Sequence, residues 1–369
     1  MNAKSSGSKG NRLFKIIFLL IVLYLFLFSI NLLGHAFKLF GKDFATSLLT
    51  STANPFLALF IGILSTSTIQ SSSTTTSIIV GLVAAGGLSL ESAIPMVMGA
   101  NIGTTVTNTL VSFGHATRRV EFRRAFSAAI VHDIFNISSV LVLFPLELLF
   151  HPIQKTATLL EKGFEGIGGL KLFNPLKFII NPAVDLVEGI FGDLSFAPVL
   201  LVVLSLIILF LALAQMVRIS RSIVMGRVET VLDKYLFGSD LSSFLVGLGL
   251  TSVVQSSSVT TSIVVPLAGA GILSVRQIFP YTLGANIGTT VTALLAALSI
   301  GNAWAVIVAF SHLTFNIFGI FIFYPLKFFP ISLAEKIGDF SGRSGRNVII
   351  VITCFISLYL IPILIFIFV

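Results

Sequence analysis

The chain has 369 residues, of which 55% are hydrophobic and 10% charged, where a soluble domain carries about 25% charged residues. A soluble fold of this size is excluded, and at roughly 20 apolar residues per membrane helix the length allows about eight to ten membrane-crossing or membrane-dipping elements. The formal charge of +8 does not point to nucleic acid, because Lys and Arg stand in short clusters beside apolar runs, the pattern of positive-inside topology.

Charge-free runs such as residues 16–30 and 199–216 read as helices; a membrane barrel would alternate polarity over segments of about ten residues. The fold class is therefore an all-α integral membrane protein. Residues 1–11 form a basic tail, expected to be cytoplasmic. The apolar run after it continues for about 20 residues, beyond the 7 to 15 of a signal peptide, so residues 13–33 read as a retained first helix. Residues 56–85 enter the membrane and turn back at Gln70-Ser71-Ser72-Ser73, because the hydroxyl and amide run 70–76 makes a poor centre for an unbroken lipid-facing helix. Crossings at 92–113 and 126–149 complete this unit.

The unit then recurs. Gln70-Ser71-Ser72-Ser73 returns as Gln255-Ser256-Ser257-Ser258, and Gly99-Ala100-Asn101-Ile102-Gly103-Thr104-Thr105-Val106-Thr107 returns letter for letter at 284–292, both at an offset of about 185 residues. After a shift of five, His132, Phe135, Asn136 and Pro145 match His312, Phe315, Asn316 and Pro325. Two halves at 12–150 and 197–330 are expected, joined by an extracytoplasmic linker at 151–196 and followed by a cytoplasmic loop at 331–346 and a C-terminal transmembrane helix at 347–369. Lys4, Lys9, Arg12 and Lys15 precede the first helix, whereas Arg218, Arg221 and Arg227 follow its counterpart. The halves are thus expected to run in opposite directions, each with a re-entrant helical hairpin and a broken transmembrane helix. The N-terminus faces the cytoplasm. Trp304 reads as an interfacial anchor.

Matching helix breaks in inverted repeats mark a transporter's binding site near the membrane midplane. At each Gln-Ser-Ser-Ser tip a returning helix offers free N–H groups and the positive end of its dipole, and with the serine hydroxyls these can hold a tetrahedral oxyanion without Lys or Arg. At Gly-Ala-Asn-Ile-Gly-Thr-Thr, two glycines are expected to let the helix unwind. Freed carbonyls with Asn and Thr oxygens then make a hard, oxygen-only site suited to Na⁺ and to no transition metal. Ser and Thr also pack between membrane helices merely because they are small; it is the duplication that argues for function.

The two Gln-Ser-Ser-Ser motifs, the Gly-Ala-Asn-Ile-Gly-Thr segments, and Glu121-Phe122-Arg123-Arg124-Ala125-Phe126 followed by Val131-His132-Asp133-Ile134-Phe135-Asn136 resemble the type II sodium-phosphate cotransporter family. The resemblance implies symport of inorganic phosphate with Na⁺ by alternating access, no organic cofactor, no enzymatic activity, a plasma membrane location in a bacterial-type member, and a homodimer in some members. It implies a phosphate cradle of Gln70, Ser71, Ser72, Ser73, Gln255, Ser256, Ser257 and Ser258. It implies Na⁺ ligands among Gln255, Ser256, Thr289 and Thr292, with Thr104 and Thr107 as repeat partners, and Asn101 and Asn286 as ligands or hinge braces. Arg118 stands where electrogenic relatives carry an acid, which bears on stoichiometry. Other readings are a passive anion channel, or an intramembrane hydrolase using a tip serine with His132. His132-Asp133 is a buried titratable pair, yet the second half has His312-Leu313, so the acid is not part of the duplicated machinery.

Overall fold

The computed structural model describes residues 4–172, 174–192, 194–235 and 238–368. The first three residues of the expected tail and the final Val369 of the expected last helix lie outside them. Seventeen helices are formed among the described residues. The first half comprises α1 (Lys4–Leu39), α2 (Gly41–Ser51), α3 (Pro55–Ile69), α4 (Ser72–Ala84), α5 (Leu90–Thr104), α6 (Val106–Phe113) and α7 (Arg119–Phe150). The linker is itself helical, with α8 (Pro152–Gly166), the short α9 (Gly169–Leu172) and α10 (Asn174–Phe191). The second half follows as α11 (Ala197–Tyr235), α12 (Asp240–Val254), α13 (Ser257–Gly269), α14 (Val275–Ile300) and α15 (Ala303–Phe323), then α16 (Phe328–Gly342) and α17 (Gly345–Phe368).

Five of these helices are long and apolar enough to cross a bilayer: Leu13–Leu39, Arg119–Phe150, Ala197–Ile223, Val275–Ile300 and Ala303–Phe323. Their outward faces are apolar, with Leu141 70% and Phe321 80% exposed, as lipid contact requires. The hairpin helices α4, α12 and α13 are shorter apolar pieces, and α2 meets α3 at a bend of 96°. Local chemistry sets their ends. Asn54 and Asn302 accept the first backbone N–H groups of α3 and α15, and Ser89 and Ser274 do so for α5 and α14, partners that lipid could not supply.

Two expectations need correction. Residues 331–346 are not a loop: most of them belong to α16, which packs on α7 and is tied to it by Arg123 Nε to Asp339 Oδ1 at 2.9 Å. The broken helix is also not duplicated. In the first half the chain tightens at Thr105, whose N–H donates to Ile102 O, and α5 gives way to α6. In the second half the same nine letters lie inside the continuous α14.

The motif glycines have a different use. A Cβ at Gly99 would collide with Leu59 O, and one at Gly62 with Met96 O; at the matched positions Gly284 would meet Phe244 O and Gly247 would meet Tyr281 O. These glycines let α3 lie backbone-to-backbone on α5, and α12 on α14, close approach of the kind small residues permit in membranes. Gly103 and Gly288 extend the same contact against Thr66 and Thr251. Gly99→Ala and Gly284→Ala should each destabilise the fold by about 1–3 kcal/mol or more through overpacking, whereas Gly249→Ala, with open space around the added carbon, should not. Thermal unfolding of the three variants in detergent checks this; equal midpoints for all three would refute it.

Candidate functional site

Both hairpins turn on the same unusual residue. Gln70 and Gln255 adopt left-handed backbone (φ 56 and 61) at the C-caps of α3 and α12, a conformation that costs a non-glycine residue free energy and clusters at functional positions. Each is followed by a serine N-cap. Ser71 Oγ accepts from Thr74 N–H at 3.2 Å, and Ser256 Oγ accepts from Val259 N–H at 3.3 Å. Ser71 and Ser256 therefore close their own helix ends, while the N–H groups of Ser72, Ser73, Ser257 and Ser258 belong to first turns that have no intrahelical acceptor.

The tips meet across the two halves. Ser73 donates to Gln255 O at 3.0 Å, and Thr292 donates to Gln255 Oε1 at 2.5 Å while lying 3.3 Å from Ser73 Oγ. Ser258 donates to Thr104 O at 3.3 Å, and Thr261 to Asn108 Oδ1 at 2.9 Å. Each returning helix thus docks on the opposite half: α13 on α6 and α7, α4 on α14 and α15. Gln255, Thr292, Ser73, Ser258 and Thr104 are brought together; Gln70 is exposed and stands apart from this set. Thr107 is buried with no hydrogen-bond partner for its hydroxyl.

The asparagines are occupied. Asn286 Oδ1 lies 2.6 Å from His132 Nε2, and its Nδ2 donates to Asn136 Oδ1 at 2.8 Å. Asn101 Oδ1 accepts from Asn316 Nδ2 at 3.2 Å and lies 3.4 Å from His312 Nε2, while its Nδ2 donates to Val97 O. Each His and the Asn four residues after it thus embrace the motif Asn of the other half. The repeat alignment had matched these four residues but gave no means of seeing that they pair crosswise. Thr104 and Thr289 donate back to the carbonyls of Ala100 and Ala285, leaving oxygen lone pairs free to face a cation.

The two hairpins are not in the same condition. In the second, Thr251 and Thr260 join their hydroxyls at 2.7 Å across α12 and α13, and Tyr281 donates to Thr260 O. In the first, the matched Thr66 hydroxyl is buried without a partner, and a cavity of about 250 Å³ is lined by Ser65 and Ile69 of α3 and by Thr75 and Ile79 of α4. Hairpin 2 is tied across its two helices; hairpin 1 lacks that tie. A further difference sits at Thr105, whose hydroxyl reaches the Asp133 carboxylate that also accepts from Thr109 at 3.1 Å. Leu313 stands at the matched position, and α14 has no interruption there.

Comparison with known proteins follows from this arrangement. The profile of the Na⁺/Pi-cotransporter family matches residues 25–164 and 208–323, both halves of the repeat. The chain belongs to that family. It is 33% identical to the human sodium-dependent phosphate transport protein 2B over 95% of this chain and 65% of that relative. It is 34% identical to the rat sodium-dependent phosphate transport protein 2A over 95% of this chain and 67% of that relative, so it spans about two thirds of the length of these relatives. No solved structure matches. The family is one of transporters, not enzymes, and the hydrolase alternative falls with that finding; Ser71 and Ser256 serve as helix caps, and the named partners of His132 are Asn286 and Asn108.

The crosswise braces predict coupling. His132→Ala and Asn286→Ala should each cost about 1–3 kcal/mol, since either leaves a buried polar group unpaired, and the double variant should cost less than their sum by about 1 kcal/mol. A thermal double-mutant cycle measures this. Strict additivity would show that the two side chains do not sense each other.

Proposed function

We propose that the protein is a secondary active transporter that brings inorganic phosphate into the cell together with Na⁺. The observation that carries this reading is the meeting of two duplicated hairpin tips built from uncharged donors. A phosphate dianion buried there has hydroxyls, an amide and first-turn N–H groups to donate to it, but no Lys or Arg among the named tip residues to neutralise it. Burying such an anion alone is prohibitive, so a co-bound cation is required, and the oxygens of Gln255, Ser256, Thr289 and Thr292, with Thr104 and Thr107, are suited to Na⁺. The relatives' names carry the same pairing of sodium and phosphate. The braced Asn101 and Asn286 act as hinge struts in this reading and not as ion ligands.

The two halves are inferred to have inverted orientation, with the N-terminus cytoplasmic and the protein in the plasma membrane of a bacterial-type cell. The untied and tied hairpins are then two conditions of one duplicated part. In the opposite state Thr107 takes hold of Gln70 as Thr292 now holds Gln255, and hairpin 1 zips through Thr66 while hairpin 2 opens. Access alternates as the tips exchange roles.

In proteoliposomes, phosphate uptake should depend on an inward Na⁺ gradient and fall to background when choline replaces Na⁺; equal uptake in choline would leave a passive channel as the reading. Ser73→Ala and Ser258→Ala should each reduce uptake by at least tenfold, since both tips serve one site.

The exchange of roles has its own test. In a Cys354→Ser background, the pairs Gln255→Cys/Thr292→Cys and Gln70→Cys/Thr107→Cys should both cross-link under mild oxidation. Failure of the second pair to form under any condition would refute the exchange.

A further inference from the structure

The linker helix α10 has three faces, not two. At 100° per residue, Ile180, Val184 and Val187 form a stripe packed on the core beside α1. Ile179, Leu186 and Ile190 form a second stripe that is apolar and open, with Leu186 64% and Ile190 60% exposed. Asn181 and Asp185 lie on the third, exposed and polar. The three stripes are separated by roughly a third of a turn each. A helix between protein and water needs two faces, core and polar; a lipid-facing span has no need of a polar stripe along its length.

The ends of α10 fix its depth. Lys177 Nζ donates to the carbonyl of Gly301, the residue that caps the C-terminus of the span α14, at 3.1 Å. Glu188 Oε2 lies 3.3 Å from His35 Nδ1 in the last turns of the span α1. Asn31 Nδ2 of α1 donates to Ser299 Oγ of α14 at 3.2 Å, so Gly301, two residues past Ser299, and His35, four residues past Asn31, lie within about 3 Å of one level along the spans. Eleven residues of helix separate Lys177 from Glu188, about 16 Å along the axis, yet both touch the spans near that level. The helix must lie flat across them. Immediately beyond it the chain enters the apolar face of α11, where Val199 and Val203 are open to lipid, and Trp304, 58% exposed, begins α15 beside Gly301. An exposed indole at a span end marks the water–lipid boundary.

We propose that α10 is an interfacial helix lying in the headgroup–acyl boundary of the bilayer, with the Ile179, Leu186 and Ile190 stripe in lipid and the Asn181 and Asp185 stripe in water. The chain passes from α10 directly into the lipid-facing α11, and Trp304 stands at the start of the neighbouring span, which makes lipid the occupant of the open stripe. Lys177 is offset by Asp185 and Glu188, so attachment is by apolar burial and does not require anionic headgroups.

The test uses the whole protein in phosphatidylcholine vesicles, in a Cys354→Ser background, with single cysteines at Ile179→Cys, Leu186→Cys, Asn181→Cys and Asp185→Cys carrying an environment-sensitive fluorophore. Brominated lipid should quench positions 179 and 186 at least twofold more than positions 181 and 185, aqueous iodide should show the reverse preference, and high salt should leave both patterns unchanged. Iodide quenching of all four positions would place the helix in water and overturn the proposal. Shielding of 179 and 186 from both quenchers would overturn it in favour of a second copy of the chain covering that face. Loss of the pattern at high salt would overturn attachment by apolar burial.

Discussion

Inside a bilayer a polar group has no water to turn to, and every donor and acceptor must be met by the protein itself. This chain gathers Ser, Thr, Asn, Gln and His in its interior, and that constraint accounts for how the halves are joined. Ser73 needs a carbonyl and finds one at Gln255; Ser258 finds one at Thr104; His132 and Asn136 close on Asn286, as His312 and Asn316 close on Asn101. Each of these bonds crosses from one half to the other. Neither half could bury its own polar residues alone, so duplication and function are tied to the same contacts.

The glycine faces serve that arrangement. Hydrogen bonds of about 3 Å between short side chains on different helices require backbones that approach closely, and only residues without a Cβ allow it at Gly62, Gly99, Gly247 and Gly284. Packing α3 on α5 and α12 on α14 in this way brings each tip within reach of the other half's motif threonines. Glycine here contributes proximity rather than flexibility, which is why α14 can run unbroken through a sequence that reads as a break.

Much of this was legible before any coordinates. Composition gave the membrane class, the fixed offset gave the pairing of Gln70 with Gln255, and the polar run in an apolar context gave both hairpin turns. What the letters could not carry were features that depend on the neighbouring helix. Gly99 and Gly284 look alike whether they loosen a helix or admit another, and only the carbonyls of Leu59 and Phe244 decide. The interruption at Thr105 and its absence in α14 follow identical letters with different surroundings, Asp133 beside one and Leu313 at the place matching the other. The helix at residues 328–342 was missed because it sits at the edge of the repeat, where no second copy existed to frame it. The linker helices were missed as elements because their apolar residues are divided among faces instead of forming one run.

The difference between the hairpins is the more informative because their sequences are so similar. Both share the motif Gln-Ser-Ser-Ser, the same caps and the same left-handed turn, but Tyr281, which donates to Thr260 O, is matched by Met96, which has nothing to donate. Thr66 and Thr107 are two buried hydroxyls without partners, each worth about 1–3 kcal/mol of desolvation. Their counterparts Thr251 and Thr292 are both satisfied. That asymmetry between matched hydroxyls is the observation on which the proposed exchange of the tips rests.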